Sequence, residues 1–258
     1  MWKVLSASVR GSGHEQSGQP CQDANFWHII DNRVLIAAVA DGAGSASMSD
    51  VGAKTVVEAS VRYLIQYSEL SDLNLDKASW KDLSYKIYRT ARAAVQNESE
   101  DRQIPLNRFA STLLLLLSTP EYTATMQIGD GSIVGKDSNG RVSTMSKPTR
   151  SEYINQTTFI TSENAEEMIQ VDLFRGIDQI AIFSDGLELL ALQMPELDPF
   201  QPFFEKIFEF SRSNVDRESG EQQLLEFLRS PRLRKRTNDD VTLLLADFIG
   251  EESESCGQ

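Results

Sequence analysis

The chain has 258 residues, of which 40% are hydrophobic and 24% charged, a composition typical of globular proteins that excludes a disordered or collagen-like chain. Its 25 Lys and Arg against 38 Asp and Glu give a formal net charge of -13, which disfavours nucleic acid as a partner because the molecule as a whole repels a phosphate backbone. At this length one core is expected, and we assign residues 1–249 to a single domain and residues 250–258 to an acidic, disordered tail.

The sequence shows neither a membrane-spanning segment nor a secretion signal. The longest wholly apolar runs, Val34–Ala40 and Leu113–Leu117, are far shorter than the ~20 residues needed to cross a bilayer. Met1–Gly13 lacks the charged-then-apolar pattern of a secretory signal. The two cysteines, Cys21 and Cys256, are too few for a disulfide framework. We therefore expect a cytoplasmic protein without a membrane partner.

The first clear element in chain order is a strand with an acidic corner. Val34–Ala40 is a short, continuous apolar run that contains β-branched residues, and Asp41 and Gly42 follow it directly. Because Asp-Gly favours a turn, the pattern predicts a buried strand that ends at Asp41.

Two long amphipathic helices are predicted next. In Asp50–Gln66 the apolar residues recur at helical spacing, and Asp50 is the candidate N-cap. In Ser79–Glu100 they recur again, and Ser79 with Asp82 imitates a capping box. The two segments predict a pair of consecutive helices.

Strands dominate Ser111–Val142, and three later strands repeat the design of an apolar run with an acidic corner. With their corner residues they are Tyr122–Ile128 with Asp130, Ile180–Phe183 with Asp185, and Val241–Phe248 with Asp239. Short helices are predicted at Asn164–Gln170, Phe200–Ser211 and Gly220–Leu228. Runs of strands interrupted by a helix pair, without strict βαβ alternation, predict an α+β fold with layered, mainly antiparallel sheets.

The acidic corners predict a metal site. If antiparallel neighbours bring the strand ends to one rim, Asp41, Asp185 and Asp239 converge, and such carboxylates repel one another unless cations are present. Oxygen ligands suit Mg²⁺ or Mn²⁺, whereas the scarcity of Cys and His excludes the common zinc sites. Two such ions can activate a water and hold a phosphoryl group, so the pattern predicts hydrolysis of a phosphate ester.

Six motifs in order resemble those of one enzyme family. They are GQPCQDA at 18–24, AVADGAG at 38–44, ASTL at 110–113, IGDG at 128–131, FSDGL at 183–187 and NDDVT at 238–242. Together they resemble the motif series of the bacterial-like branch of the metal-dependent PP2C-type (PPM) serine/threonine protein phosphatases. The similarity extends from about Ser6 to Leu245, nearly the whole chain.

The resemblance implies a four-layer α-β-β-α sandwich with two central antiparallel sheets and a binuclear Mn²⁺ or Mg²⁺ site. It implies that Asp41 bridges both ions and that the Gly42 carbonyl binds one of them. Asp185 and Asp239 would bind the other ion, Asp23 would act directly or through a water, and Asp130 matches a third, weaker site. No residue of the protein is implied as the nucleophile, since the attacking group is the water that bridges the ions.

The chain also departs from the family pattern. The stretch Gln16–Pro20 lacks the arginine that binds phosphate in many relatives, and His14 is the candidate replacement, with Arg10 nearby. The departures at metal and acid positions are Gln22 for glutamate, Ala43 for a histidine and Leu189 for an aspartate that assists the third ion. Glu188, one residue earlier, points elsewhere if the segment is helical. The resemblance therefore leaves phosphate binding and the third ion open.

The leading hypothesis is hydrolysis of phosphoserine and phosphothreonine in proteins by a monomer that acts opposite a serine/threonine kinase. One alternative is a catalytically weak binding or regulatory module of the same fold, and another is a phosphatase of a small phosphorylated metabolite. Specificity is expected in the polar stretch Ser143–Gly176. The basic cluster Arg232, Arg234, Lys235 and Arg236 is either a solvated loop or a device that draws phosphate toward the acidic site.

Overall fold

The structure is a computed structural model, and it describes residues 1–67, 75–146, 157–213 and 216–250. The strands are β1 Trp2–Val9, β2 Ala24–Ile30, β3 Val34–Ala40, β4 Leu113–Ser118, β5 Thr123–Ile128, β6 Ser132–Asp137, β7 Val142–Ser146, β8 Gln170–Phe174, β9 Ile177–Phe183, β10 Leu192–Gln193, β11 Asp198–Pro199 and β12 Val241–Phe248. The α-helices are α1 Ser12–Ser17, α2 Ser49–Gln66, α3 Lys77–Arg102, α4 Glu188–Ala191, α5 Gln201–Arg212, α6 Arg217–Leu228 and α7 Pro231–Arg234. Two 3-10 helices are Leu106–Phe109 and Asp185–Leu187.

Two five-stranded antiparallel sheets form the centre of the fold. One has the order β1-β12-β9-β6-β7 and the other β2-β3-β4-β5-β8, while β10 and β11 form a separate pair. Helices α2 and α3 cover the second sheet, and α5 and α6 cover the first. The predicted α+β sandwich with two mainly antiparallel sheets is confirmed.

Three layers of apolar side chains hold the sandwich together. One lies between α2, α3 and their sheet, one between the two sheets, and one between the other sheet and α5, α6. Strand β3 contributes to two of them, because Ile36 and Ala38 face the helices while Leu35 and Val39 face the opposite sheet. Burial on both faces explains why this strand reads as a continuous apolar run rather than an alternating one.

The helix pair is confirmed, but its predicted caps are wrong. Helix α2 starts at Ser49 with Met48 as N-cap, and Asp50 lies in the first turn, where its charge still favours the helix dipole. Helix α3 starts at Lys77, and the Asp76 carboxylate accepts a hydrogen bond of 2.7 Å from the Ser79 amide. Asp76 therefore satisfies the helix start that Ser79 and Asp82 were predicted to cap.

The helix predicted at Asn164–Gln170 is wrong. This segment forms successive turns, in which the Glu167 amide binds the Asn164 carbonyl and the Met168 amide binds that of Ala165. At Gln170 the chain becomes extended, because β8 pairs there with β5. Sheet pairing thus overrides the local helical preference.

Several of the sequence predictions concern segments that lie wholly or partly outside the described residues. The tail beyond residue 250, with Cys256, is one, and the central part of Ser143–Gly176, residues 147–156, is another. Among the helices that the structure describes, none is long and apolar enough to cross a membrane.

The substitution Gly52→Ala should destabilise the fold, although alanine normally favours a helix interior by about 1 kcal/mol. A Cβ at Gly52 would lie 2.1 Å from the Phe109 carbonyl oxygen, so α2 would have to move away from the segment that leads into β4. We expect a loss of about 2 kcal/mol, measured by urea unfolding. Gly44→Ala is the control, since nothing lies within 4 Å of a Cβ there. Equal stability of the two variants would contradict this packing.

Candidate metal centre

Three of the predicted acidic corners meet at one end of the sandwich. One carboxylate oxygen from each of Asp41, Asp130 and Asp185 lies within 4.8 Å of the other two. Asp41 follows β3 and Asp130 follows β5 in one sheet, whereas Asp185 follows β9 in the other. The cluster therefore exists only where the rims of both sheets come together.

Asp41 is held by backbone on both sides of its strand. The Asp41 amide donates to Thr112 Oγ1 at 2.9 Å, and the Thr112 amide donates to the Asp41 carbonyl at 2.8 Å. The Gly42 amide donates to the Gln22 carbonyl at 3.1 Å. A Cβ at Gly42 would lie 2.7 Å from that carbonyl oxygen and 2.8 Å from Ser49, so this close approach requires glycine.

Asp130 projects from a tight turn between β5 and β6. Gly129 and Gly131 both have positive φ, +92° and +84°, a conformation that favours glycine. The buried amide of Gln127 donates to both glycine carbonyls at 3.0 Å and so fixes the turn. Thr157 Oγ1 donates to Asp130 Oδ2 at 2.7 Å, which leaves the other carboxylate oxygen for a further partner.

Asp23 lies buried behind the cluster and is linked to β9 and β12. Ser184 Oγ donates to Asp23 Oδ2 at 2.7 Å and accepts from the Thr242 amide at 2.9 Å. Asp185 is the next residue after Ser184 and begins a 3-10 helix. In this helix Gly186 packs against the Asp240 carbonyl so closely that there is no room for a Cβ. The hydrogen bond between Ser184 and Asp23 links the two sheets at the site.

Asp239 and Asp240 have different surroundings although they are adjacent. Asp239 is exposed, whereas Asp240 is buried. Asp240 Oδ1 accepts from the Gly11 amide at 2.6 Å, and Oδ2 accepts from the Gln22 amide at 2.5 Å. The start of β12 is thereby tied to the loops on either side of α1.

His14 belongs to the same clamp. Its Nδ1 lies 3.0 Å from Asp240 Oδ2, and its side chain is largely buried. Arg10, by contrast, is exposed and donates to the Gln19 carbonyl at 3.2 Å. Of the two candidates for phosphate contact, His14 is the more buried.

Burial and crowding disfavour ionisation of the clustered carboxyls. Burial raises the pKa of Asp41 well above its usual range, and the charges of Asp23 and Asp185 add to the effect. Burial, together with the charges of Asp130 and Asp239, raises the pKa of Asp185 to about 6. Burial raises the pKa of Asp23 to about 7 against the hydrogen bonds from Ser184 and Thr242. A group of acids in this state gains from a neutralising cation.

The donor set fits a hard divalent cation. Asp23 Oδ1 and Asp185 Oδ1 are buried and accept no hydrogen bond from any residue that the structure describes. An orphaned carboxylate oxygen is costly, and Mg²⁺ or Mn²⁺ would satisfy it with the oxygen ligands that these ions prefer. The absence of histidine and cysteine from the described cluster argues against a zinc preference.

The sequence located the cluster but missed part of its support. The expected convergence of Asp41, Asp185 and Asp239 is met only in part, because Asp41 and Asp185 lie together with Asp130, whereas Asp239 is exposed and is not one of the three clustered carboxylates. Asp23 is buried, and its charge contributes to the raised pKa of Asp41. The sequence did not identify the anchoring roles of Gln127, Thr157 and Asp240. Leu189, which stands where the family pattern has an aspartate, is 58% exposed, and its apolar side chain offers no ligand atom. The Asp-Asp pair at the start of β12 was the one available signal for Asp240.

Comparisons with known proteins agree with this geometry. The sequence profile of the family described as Protein phosphatase 2C matches residues 10–229. The Escherichia coli (strain K12) protein Serine/threonine-protein phosphatase 3 is 34% identical over 252 residues, which cover 95% of this chain and 98% of that protein.

Solved structures share the fold at low sequence identity. The serine/threonine phosphatase Stp1 from Staphylococcus aureus has a TM-score of 0.66 and 13% identity, with 97% of this chain and 96% of that chain covered. The catalytic domain of the serine threonine protein phosphatase PstP, solved with two manganese ions, has a TM-score of 0.59 and 16% identity, with 96% and 99% covered.

Replacement of the two adjacent aspartates should have unequal effects on the stability of the metal-free protein. Asp240→Ala removes the acceptor of two buried amides, so we expect a loss of about 2 to 4 kcal/mol in urea unfolding with EDTA present. Asp239→Ala removes an exposed carboxylate and should change that stability by less than about 0.5 kcal/mol. If both variants lose the same stability, the clamp assigned to Asp240 is wrong.

Proposed function

The chain belongs to the protein phosphatase 2C family, and on that premise we propose that it hydrolyses phosphoserine and phosphothreonine in proteins at the cluster of Asp41, Asp130 and Asp185. One observation carries the proposal: carboxylates from both sheets lie within 4.8 Å of one another, and two buried carboxylate oxygens at this rim have no hydrogen-bond donor among the described residues.

The residues that would hold two Mn²⁺ or Mg²⁺ ions are Asp41, the Gly42 carbonyl, Asp185, Asp239 and Asp23. When bound, the ions supply Lewis acidity that activates water and neutralises charge on the phosphoryl group. Asp41 is supported for a central role by its place in the cluster, and Asp239 by its charge beside Asp185.

Hydrogen bonds within the chain hold the candidate metal ligands in position. The Thr112 hydroxyl accepts from the Asp41 amide and the Thr112 amide donates to the Asp41 carbonyl, which fixes the backbone of Asp41, while the Ser184 hydroxyl donates to the Asp23 carboxylate. Because these anchors come from buried strand ends, the ligands are preorganised and lose little freedom when the site is loaded. The sandwich thus supplies the geometry for hydrolysis without a nucleophilic side chain.

Phosphate contact is assigned to His14, in place of the absent arginine. Its support is position: His14 lies against Asp240, the neighbour of the rim residue Asp239. The exposed Arg10 lies on the loop before α1. The assignment gives α1 a role in substrate binding as well as in the clamp.

The finer features of the function remain proposals. Phosphorylated proteins are the substrates that family membership supports, and signalling opposite a serine/threonine kinase follows from that chemistry. A monomeric state, cytoplasmic location and a single domain over residues 1–249 stay predictions of the sequence. The alternative of a binding module is not favoured, because a carboxylate cluster with orphaned oxygens is costly unless it binds metal.

Asp41→Asn should abolish turnover, whereas Asp130→Ala should reduce it much less. Asp41 lies in the cluster together with Asp185 from the other sheet. A third ion at Asp130 would receive no ligand from Leu189 and would keep most of its waters. With p-nitrophenyl phosphate at saturating Mn²⁺, we expect a loss of more than about 100-fold for Asp41→Asn and less than about tenfold for Asp130→Ala. An equal collapse in both variants would assign Asp130 to the essential pair of ions.

Chelation should silence the enzyme and metal should stabilise it. EDTA should remove activity, Mn²⁺ or Mg²⁺ should restore it, and Zn²⁺ should do so poorly, because the ligands are hard oxygens. Mn²⁺ should also raise the thermal midpoint by a few degrees, since it binds only the folded cluster. The Asp41→Asn variant is the control and should show little or no shift. Activity that survives exhaustive chelation would overturn the metal-dependent mechanism.

A further inference from the structure

A basic strip lies beside the acidic site. We define it as residues Arg229–Arg236, in which five of eight residues are Arg or Lys and none is acidic. The charged side chains of this strip are all exposed. In a chain with a formal net charge of -13, the strip is a local reversal of sign.

The strip leads directly to the rim of the carboxylate cluster. It runs from the end of α6 through α7 to Thr237, whose hydroxyl accepts a hydrogen bond of 3.1 Å from the Asp239 amide. Arg234, Thr237 and Asp239 line one small cleft together with the start of α1. A segment of substrate that leaves the site in this direction passes over the strip.

Two contacts hold the strip in a fixed conformation. Leu233 is 2% exposed and packs into the core beneath α5 and α6. Arg234 forms a two-pronged ion pair with Glu15 of α1, at 3.0 and 2.8 Å. The remaining cations are therefore presented from a pinned backbone, which lowers the entropy lost when they bind an anion.

Three of those cations lack an ion pair with any described residue. Arg232, Lys235 and Arg236 form no ion pair with the part of the chain that the structure describes, in contrast to Arg234. Exposed cations attract anions and favour partners with complementary charge. Nucleic acid fits poorly, because the rest of the molecule is acidic.

We propose that the basic strip reads acidic residues of the substrate protein next to the phosphorylated serine or threonine, with Arg232, Lys235 and Arg236 as the specificity-determining residues. This inference rests on the proposed phosphatase function. The clustered aspartates hold the metal for the phosphoryl group, and the strip binds the carboxylates that flank it. The enzyme then selects phosphosites in acidic sequence context.

The test compares three phosphothreonine peptides that differ only in flanking residues, which are Glu, Ala or Lys. At low ionic strength and saturating Mn²⁺, the wild-type enzyme should show a kcat/KM about tenfold higher for the Glu peptide than for the Ala peptide, mostly through KM. The advantage should shrink as salt is added, because exposed charges are screened. The triple variant Arg232→Glu, Lys235→Glu and Arg236→Glu should lose the preference or shift it toward the Lys peptide.

A matched variant controls for net charge. Lys54→Glu, Lys81→Glu and Lys86→Glu change the same number of exposed cations on α2 and α3, which cover the other sheet. This variant should keep the preference for the Glu peptide. Both triple variants should hydrolyse p-nitrophenyl phosphate, which has no flanking residues, at the wild-type rate.

The outcomes separate this inference from the proposed function. If the wild-type enzyme does not hydrolyse p-nitrophenyl phosphate with Mn²⁺, the phosphatase proposal itself fails. If it does, but the peptides are cleaved equally or the two triple variants behave alike, the role of the strip is wrong. Unchanged peptide preference with loss of binding to phosphatidylglycerol vesicles in the strip variant would also overturn the inference, in favour of a membrane-binding surface.

Discussion

The gathering of acidic groups at the junction of two sheets is the constraint on which the rest of the structure depends. Asp41, Asp130 and Asp185 come within 4.8 Å of one another, and burial with mutual repulsion raises the pKa of Asp41 and Asp185. Such a cluster opposes folding in the absence of a cation. Three apolar layers, two of them sharing strand β3, supply the burial that offsets this cost.

The two neighbouring aspartates at the start of β12 lie in different environments. Asp239 is exposed toward the rim, while Asp240 turns inward and accepts the amides of Gly11 and Gln22. A carboxylate that binds backbone amides is satisfied inside the protein, so it has little need of a metal. The same residue type is therefore exposed at one position and anchors the chain at the next, and His14 Nδ1 lies 3.0 Å from the inward carboxylate.

The sequence predicted what depends on burial and missed what depends on local hydrogen bonds. Strand β3 was placed at its observed bounds, because burial on both faces leaves an uninterrupted apolar run. Strand β9 begins at Ile177, three residues earlier than predicted, because the buried Gln179 binds the Phe208 carbonyl and the Asp247 carboxylate and so hides a polar residue inside the strand. Polar residues in a core cannot be told from loop residues by hydropathy.

At the site too, the sequence predicted the residues that follow buried strands and missed those that depend on local hydrogen bonds. The Asp-Gly corners identified Asp41 and Asp185, since the strands before them are strongly apolar. The supports of Asp130, namely the Gln127 amide and the Thr157 hydroxyl, depend on three-dimensional proximity across the β5–β6 turn and the segment before β8. No spacing in the sequence encodes such contacts.

The pairing of β1 with β12 joins the first and the last strand of the described fold. These strands pair along their full length, from Trp2 opposite Phe248 to Val9 opposite Val241, and the clamp at Gly11 closes on Asp240. A polypeptide still emerging from the ribosome has made Asp41 and Asp185 but lacks the strand that completes the rim. Until β12 has been made, β1 lacks its partner strand and the Gly11 amide lacks its carboxylate acceptor, so the first strand joins its sheet only after the last strand has been synthesised.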